Sequence, residues 1–376
     1  MKYYNEVYNG KVEYVYRAWS LWHEHFITEY AAGTPVDLLY LYEMNFPTFT
    51  NRAMVYSNKE LTDMGVVALD HPLIAKDRDV ADRHFTYKGE TYSFALGTSE
   101  ADMIFVNEDL FKKYSVKSPS EYYAEGIWNW ENFEKCASQL TRDTDNDEVT
   151  DVWGYYGWDS NFIINAAGGE LVELNDDGTV SSALNSAACL RGLENYINIF
   201  TNLKCFPGSD PGFAQGNLGM IAWMPQNEYK YLTGSNGAEK YTFNWSMVPY
   251  PLDETTNTQT IRSGKAQGWC VSATADATAA QGCINYMIAY RAFEQLNPNP
   301  SKADYSKCFS EEQLQMIADC SRQAQLPIFM GVGNLWHAQW DFWGAVKGGR
   351  STPTEIVVQY KPLFDVQCEI ENSNAK

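Results

Sequence analysis

Apolar positions along the chain fall into short runs that predict strands separated by helices. Val12 to Tyr16 alternates with the two-residue period of a strand, and Val36-Asp37-Leu38-Leu39-Tyr40-Leu41 reads as a buried one. Between them, Ser20 caps a helix carrying apolar Leu21, Trp22, Phe26 and Ile27 and ending at Gly33. Lys88-Gly89-Glu90 reads as a tight turn between two short strands flanked by Tyr87 and Tyr92. Met103-Ile104-Phe105-Val106 has the composition of a buried strand. It stops at Asn107, a good helix N-cap, with Glu108 and Asp109 in the first turn where the helix dipole favours anions. Further helices are expected from Asn129 to Leu140, Asn185 to Asn202 and Ala275 to Phe293, the second with a packed face of Ala188, Leu190, Leu193, Tyr196, Ile197 and Phe200. Ser310 with Gln313, and Thr352 with Glu355 behind Pro353, are capping boxes. They start two helices of an all-helical terminal part, with a third from Asn334 to Val346.

Composition narrows the class. A chain of 376 residues suggests two large domains, and 45% hydrophobic with 20% charged residues describes a globular protein. The net charge of -20 argues against nucleic acid or an anionic membrane as main partner. No stretch approaches the roughly 20 apolar residues of a membrane-spanning helix, and Met1 to Gly10 lacks the apolar core of a signal peptide. The eight cysteines form no CxxC pair, and no His stands at zinc-finger spacing, so a metal cluster is not expected. Cys136 and Cys283 read as small buried hydrophobes. Pairing of Cys189 with Cys205, or of Cys308 with Cys320, stays open.

The order of parts carries more. Gly97-Thr98-Ser99-Glu100-Ala101 stands between a turn-rich strand pair and the Met103 strand, where the chain leaves one lobe for another. Trp128-Asn129-Trp130-Glu131-Asn132-Phe133, Phe213-Ala214-Gln215-Gly216-Asn217-Leu218-Gly219-Met220, and Gly157-Trp158-Asp159-Ser160-Asn161-Phe162 followed by Ala166-Ala167-Gly168-Gly169 recur in similar order and form elsewhere. Together these segments resemble the extracellular solute-binding proteins of ABC importers, the maltose-binding type nearest. Gly219 stands where that family has Ala in its F-x-x-G-x-x-A-M motif. Phe243 to Pro251 is similar to the second crossing.

The resemblance implies an α/β, two-lobed periplasmic-binding-protein-like fold with hinge strands and a helical C-terminal part. Lobe 1 would comprise residues 1–103 and 251–305, and lobe 2 residues 104–250 and 306–376. It implies capture of a carbohydrate, an oligosaccharide by preference, and delivery to membrane permease subunits. The implied protein is not an enzyme; it is a monomer, extracellular or held at the cell surface as a lipoprotein, with no cofactor for activity. The family has a first strand and most of a first helix ahead of a segment like Tyr8-Asn9-Gly10-Lys11-Val12-Glu13, so lobe 1 is expected to lack a central strand.

Candidate site residues follow from the same resemblance. Counting back from Gly168-Gly169 places Trp158 at a sugar-stacking position; counting back from Gly349-Arg350 places Trp336 at another. Counting back from Asn107 places Glu100 at a carboxylate that hydrogen-bonds sugar hydroxyls. Trp223, Trp269, and the loop residues Glu43, Asn45 and Phe46 are expected near the cleft. Flat indole rings suit the C–H face of a pyranose, and carboxylates and amides accept from its hydroxyls. A glycoside-active enzyme would need two carboxyl groups about 5–10 Å apart, of which Glu100 is one candidate without an evident partner. The same fold with a peptide, polyamine or metal chelate as cargo is a further alternative.

Two stretches have the look of metal sites. His23-Glu24-His25 is not one by spacing, because adjacent and i,i+2 positions do not share a helix face. Asp143-Thr144-Asp145-Asn146-Asp147-Glu148-Val149-Thr150-Asp151 is better. It offers carboxylates at loop positions 1, 3, 5 and 9 (Asp143, Asp145, Asp147, Asp151) and the Val149 carbonyl at 7, which suits a structural Ca²⁺. Position 6 is Glu148 where Gly is usual, and position 12 is Gly154, which supplies no ligand.

Overall fold

Two separate sheets collect the apolar runs. The computed structural model describes residues 2–18, 21–34, 36–96, 100–157, 161–209, 211–255, 263–297, 303–324, 326–349 and 351–375. Its strands are β1 (Leu38–Tyr42), β2 (Thr86–Tyr87), β3 (Glu90–Thr91), β4 (Phe94–Ala95), β5 (Glu100–Ala101), β6 (Met103–Asn107), β7 (Trp153–Gly157), β8 (Val172–Leu174), β9 (Val180–Ser182), β10 (Leu218–Trp223), β11 (Trp245–Val248), β12 (Ser263–Lys265) and β13 (Gln267–Val271). One sheet has the order β1-β13-β4 and is antiparallel throughout. The other has the order β11-β6-β10-β7, with β10 parallel to β7 and antiparallel to β6. The chain goes from the first sheet to the second through β5 and comes back through β12, and these two strands pair with each other. Two lobes joined by a short ribbon result, each lobe named here for its sheet.

Each lobe closes its sheet with helices. In the first, the Ala277–Leu296 helix lays Ile284, Met287 and Ile288 against Phe94, Trp269 and Val271. In the second, β6 is buried at every position, as a strand covered on both faces should be. The Trp130–Leu140 helix sets Phe133, Cys136, Ala137 and Leu140 into that core. The C-terminal helices Leu335–Lys347 and Pro353–Ser373 complete it with Phe342, Val346, Ile356 and Phe364. No described helix is long and apolar enough to cross a membrane.

Local signals hold where they depend on neighbours in sequence. Lys88 and Gly89 both take positive φ, +49° and +80°, in the two-residue turn joining β2 to β3. The Asn107 side chain accepts from the Leu110 N–H at 3.2 Å, and both capping boxes close. The long helix expected from Asn185 forms as Ala187–Ile197 and continues in a wider π turn over Asn198–Asn202. Val12 to Tyr16, in contrast, joins no ladder among the described residues. Ser20 lies outside the described residues. All eight cysteines are free thiols, so neither suggested disulfide forms.

His84, at the end of the Arg78–His84 helix, is buried, and that burial, with the Arg83 cation beside it, pushes its pKa down to about 4. A neutral buried histidine binds no proton between its folded and unfolded pKa values, whereas the unfolded chain does. The stability it contributes is therefore complete above pH 6.5 and is lost as pH falls through about 4. That loss amounts to about 3 kcal/mol at most. Urea melts at pH 7 and pH 4.5 should show His84→Gln losing less stability on acidification than the parent. Equal losses would remove the histidine from the account.

Candidate functional site

The turn that follows β1 brings the lobes together. Gly331 forms a parallel bridge with Pro47, and the Thr48 hydroxyl donates to the Gly331 carbonyl. A Cβ on Gly331 would fall 2.2 Å from the Phe46 carbonyl oxygen, so only glycine permits this approach. Asn45, expected to face ligand, is instead buried in the turn. Its side chain accepts from the Tyr42 N–H at 2.8 Å and donates to the Tyr40 carbonyl at 2.9 Å, so its amide is committed to backbone. Glu43 is half-buried in the same turn, and Phe46 is buried against Phe85.

Just beyond Gly331 the Leu335–Lys347 helix presents two indoles. Trp336 is half-buried and meets Trp340 edge-on with ring centres 6.0 Å apart, and Trp340 is 62% exposed. His337 on the same helix places Nε2 3.8 Å from Glu24 Oε1, and Glu24 belongs to the Trp22–Ala31 helix of the first lobe. His23 Nε2 lies 3.9 Å from the same oxygen. Trp22 donates its indole N–H to the Tyr42 hydroxyl, whose pKa burial pushes up. His337 and Glu24 thus meet across the lobes, with Trp22 and His23 on the first-lobe helix and Trp336 and Trp340 on the second-lobe helix.

A second group sits at the crossing. Glu100 accepts from the Tyr305 hydroxyl and, at 3.2 Å, from the Gln226 backbone N–H, in the first turn of the Pro225–Thr233 helix. Burial first, and then the Glu100 charge, push the Tyr305 pKa up. Trp223 ends β10 opposite Met103 and is half-buried. Trp269 departs from the expectation: it is 4% exposed and packs edge-on against Tyr290, ring centres 5.1 Å apart, in the first-lobe core. A strand indole facing a covering helix serves packing. Trp158 lies outside the described residues.

Sequence reasoning passed over Trp340, His337, Glu24 and Tyr305. Trp340 had a readable signal, since it stands four residues after Trp336 on a predicted helix. His337 and Glu24 are joined by a contact between lobes, and Tyr305 reaches Glu100 across about two hundred residues of sequence, neither of which a local pattern encodes.

The acidic loop gathers Asp143, Asp145 and Asp151, with one oxygen from each within 4.8 Å of the others, while Asp147 stays outside this group. Asp147 instead accepts the Val149 N–H at 2.8 Å, and Val149 itself is exposed. Asp143 accepts the N–H groups of Asn146 at 2.7 Å and Glu148 at 2.8 Å. The Thr144 hydroxyl and N–H hold the Asp151 carboxyl below its usual pKa. Glu148, at position 6, takes the left-handed φ of +69° that glycine occupies more easily. Gly154, at position 12, lies so close to the Ala137 backbone that a Cβ would fall 1.9 Å from its carbonyl oxygen, so no side-chain ligand fits there.

Known structures share the fold over nearly the whole chain. An ABC substrate-binding protein from Listeria monocytogenes, solved with cycloalternan, is 18% identical with a TM-score of 0.60, covering 99% of this chain and 93% of that one. The maltose/maltodextrin-binding domain MalE from Bdellovibrio bacteriovorus, bound to maltotriose, is 16% identical at TM-score 0.62, covering 98% and 94%. UgpB from Mycobacterium tuberculosis, in complex with glycerophosphocholine, is 12% identical at TM-score 0.67, covering 98% and 94%. Among curated proteins no match is found. The sequence itself matches the family described as bacterial extracellular solute-binding protein over residues 1–297. With more than half of its length matched and the two-lobed fold in place, this chain belongs to the bacterial extracellular solute-binding proteins.

Proposed function

We propose that the chain captures a carbohydrate of oligosaccharide size between its lobes and delivers it to the permease of an ABC importer. The observation that carries this reading is the Trp336–Trp340 pair on the second-lobe helix whose His337 meets Glu24 of the first lobe. Indoles offer flat apolar faces to sugar C–H groups, and carboxylates accept from hydroxyls. A ligand touching both lobes favours the closed arrangement by its differential affinity, with rotation about the crossing near β5 and β12. In this reading Glu100, with Tyr305 and Gln226, braces the crossing. The protein acts as a monomer outside the membrane, held at the cell surface as a lipoprotein, with lobes 1–103 plus 251–305 and 104–250 plus 306–376. The family is one of binding proteins, so a glycoside-cleaving role has no support from it.

Calorimetric titration with maltotriose, maltotetraose, ribitol and glycerophosphocholine tests the proposal. One-to-one saturation by an oligosaccharide without release of reducing sugar is expected. Binding of glycerophosphocholine alone would transfer the cargo to the phosphodiester class, and no binding by any of the four would end the carbohydrate reading.

The Asp143–Asp151 loop supports a structural Ca²⁺ held by Asp143, Asp145, Asp151 and the Val149 carbonyl, with water where Gly154 leaves a gap. Calcium at about a hundred times its dissociation constant should stabilise the folded chain by about 2.7 kcal/mol. A melting curve that rises with calcium and falls back with chelator is the expected result. Curves that coincide, or a rise kept by Asp143→Asn, would count against the site.

A further inference from the structure

The apolar packing of the first lobe is interrupted where three short helices meet β4. Ile74 and Phe94 belong to one apolar cluster of this lobe, while Ala81 and Ala95, with Val80, form a separate small one. Between them lies a cavity of about 10 Å³, bounded by the Asn58–Asp63, Pro72–Ala75 and Arg78–His84 helices and by β4. Its lining includes two side chains, Asn58 and Ser93, whose oxygens Oδ1 and Oγ are shut off from solvent. Neither oxygen has a hydrogen-bond partner among the described residues. Ser93 as a whole is 1% exposed. Asn58 is not occupied with capping its helix, because Ser57 takes the Glu60 N–H in a closed capping box. The other polar side chain of the lining, Arg78, is engaged elsewhere: its Nη2 donates to the Leu69 carbonyl at 3.2 Å. Buried hydroxyl and amide oxygens are as a rule hydrogen-bonded, because a bare one gives up its hydration without return.

We infer that this cavity holds one ordered water molecule bridging Asn58 Oδ1 and Ser93 Oγ. Volume agrees: about 10–15 Å³ is the least that admits a single water, and a larger solute has no room. Chemistry agrees as well, since a purely apolar cavity stays dry, whereas two polar partners meet the minimum a buried water needs. Water donates to the amide oxygen and either donates to or accepts from the hydroxyl, so both oxygens are satisfied at once. A metal cation is disfavoured, because it needs several more oxygens and Arg78 in the lining would repel it. The bridge ties the first turn of the Asn58–Asp63 helix to the residue just before β4. β4 pairs with β13 and is the last first-lobe strand before the chain crosses through β5. The water thus holds the departure point of the crossing against a helix of the first lobe.

Two measurements on the 376-residue chain test this. A crystal structure fine enough to resolve solvent should show a water within about 3.2 Å of both oxygens, and a site without one overturns the inference. The second is the melting temperature of Ser93→Ala, whose direction separates a hydrated hydroxyl from a bare one. Removing a bare buried hydroxyl relieves an unmet polar group and raises the melting temperature. Removing one arm of a water bridge leaves the water and Asn58 short of a partner, and should lower it by about 2 °C. Asn58→Ala and the double variant complete a cycle. With the bridge already broken, Asn58→Ala should cost less in the Ser93→Ala background than in the parent. A rise or no change on Ser93→Ala, or an equal cost of Asn58→Ala in both backgrounds, would each overturn the bridge.

Discussion

Glu371→Ala should lower the unfolding free energy by about 3 kcal/mol, the lower end for breaking a buried ion pair. Glu371 sits in the last turn of the Pro353–Ser373 helix with no side-chain exposure. Its carboxylate accepts from Arg52 Nη2 at 2.8 Å and Asn51 Nδ2 at 3.1 Å, while its carbonyl accepts from the same amide at 2.9 Å. Asn51 in turn accepts the Tyr87 hydroxyl at 2.7 Å. Alanine would leave the Arg52 cation without this carboxylate. Arg52 keeps some access to water, which places the expectation at the lower end. Glu371→Gln, which keeps a hydrogen-bonding oxygen and loses the charge, should cost less than alanine. Urea unfolding measures both. Because the carboxylate joins the C-terminal helix to a first-lobe segment, exchange of the helix's last turn should accelerate before global unfolding does. A change below about 1 kcal/mol would reduce the pair to the standing of a surface contact.

Trp336→Ala should weaken oligosaccharide binding by about 2 kcal/mol, roughly thirtyfold, with little change in melting temperature. The ring is half-buried on a helix whose core anchors, Phe342 and Val346, lie elsewhere on its circumference, so removal leaves the packed face intact. Trp269→Ala is the counterpart. Its ring is enclosed by Tyr286 and Tyr290, and truncation should destabilise the fold by about 3–5 kcal/mol. Sugar affinity of whatever remains folded should be unchanged. Titration with maltotriose, or whichever sugar of the panel binds, together with thermal melts separates the two residues. If Trp336→Ala melts early and binds normally, its indole belongs to the core and the proposed site loses its main contact.

What could be read in advance depended on the reach of the interactions involved. The Lys88-Gly89 turn, the Asn107 cap and the boxes at Ser310 and Thr352 are settled within four residues, and all form. Val12 to Tyr16 has a strand's alternation, yet a strand exists only when another lies beside it, and here the neighbouring place is a cavity. Asn45 and Trp269 show the limit for site residues. Polar loop residues and strand aromatics have the same letters whether they face a ligand, bind backbone or fill a core, and the deciding partners, Tyr40 and Tyr290, come from the folded arrangement. Family resemblance located the crossing and the Trp336 helix because those depend on the order of elements along the chain. It passed over His337 and Glu24, which become neighbours only when the lobes meet.

The cysteines offer a practical opening. Burial pushes the thiols of Cys136, Cys189, Cys205, Cys283, Cys320 and Cys368 up to about 12. At neutral pH roughly one in 10⁵ of each is then in the reactive thiolate form. Maleimide chemistry should accordingly ignore them in the native state. Cysteines introduced at Val67 in the first lobe and Val358 in the second, 65% and 70% exposed, would take a pair of fluorophores once the half-buried Cys308 is replaced by serine, with the buried thiols left in place. Energy transfer between those dyes would then follow lobe rotation directly as solute is added.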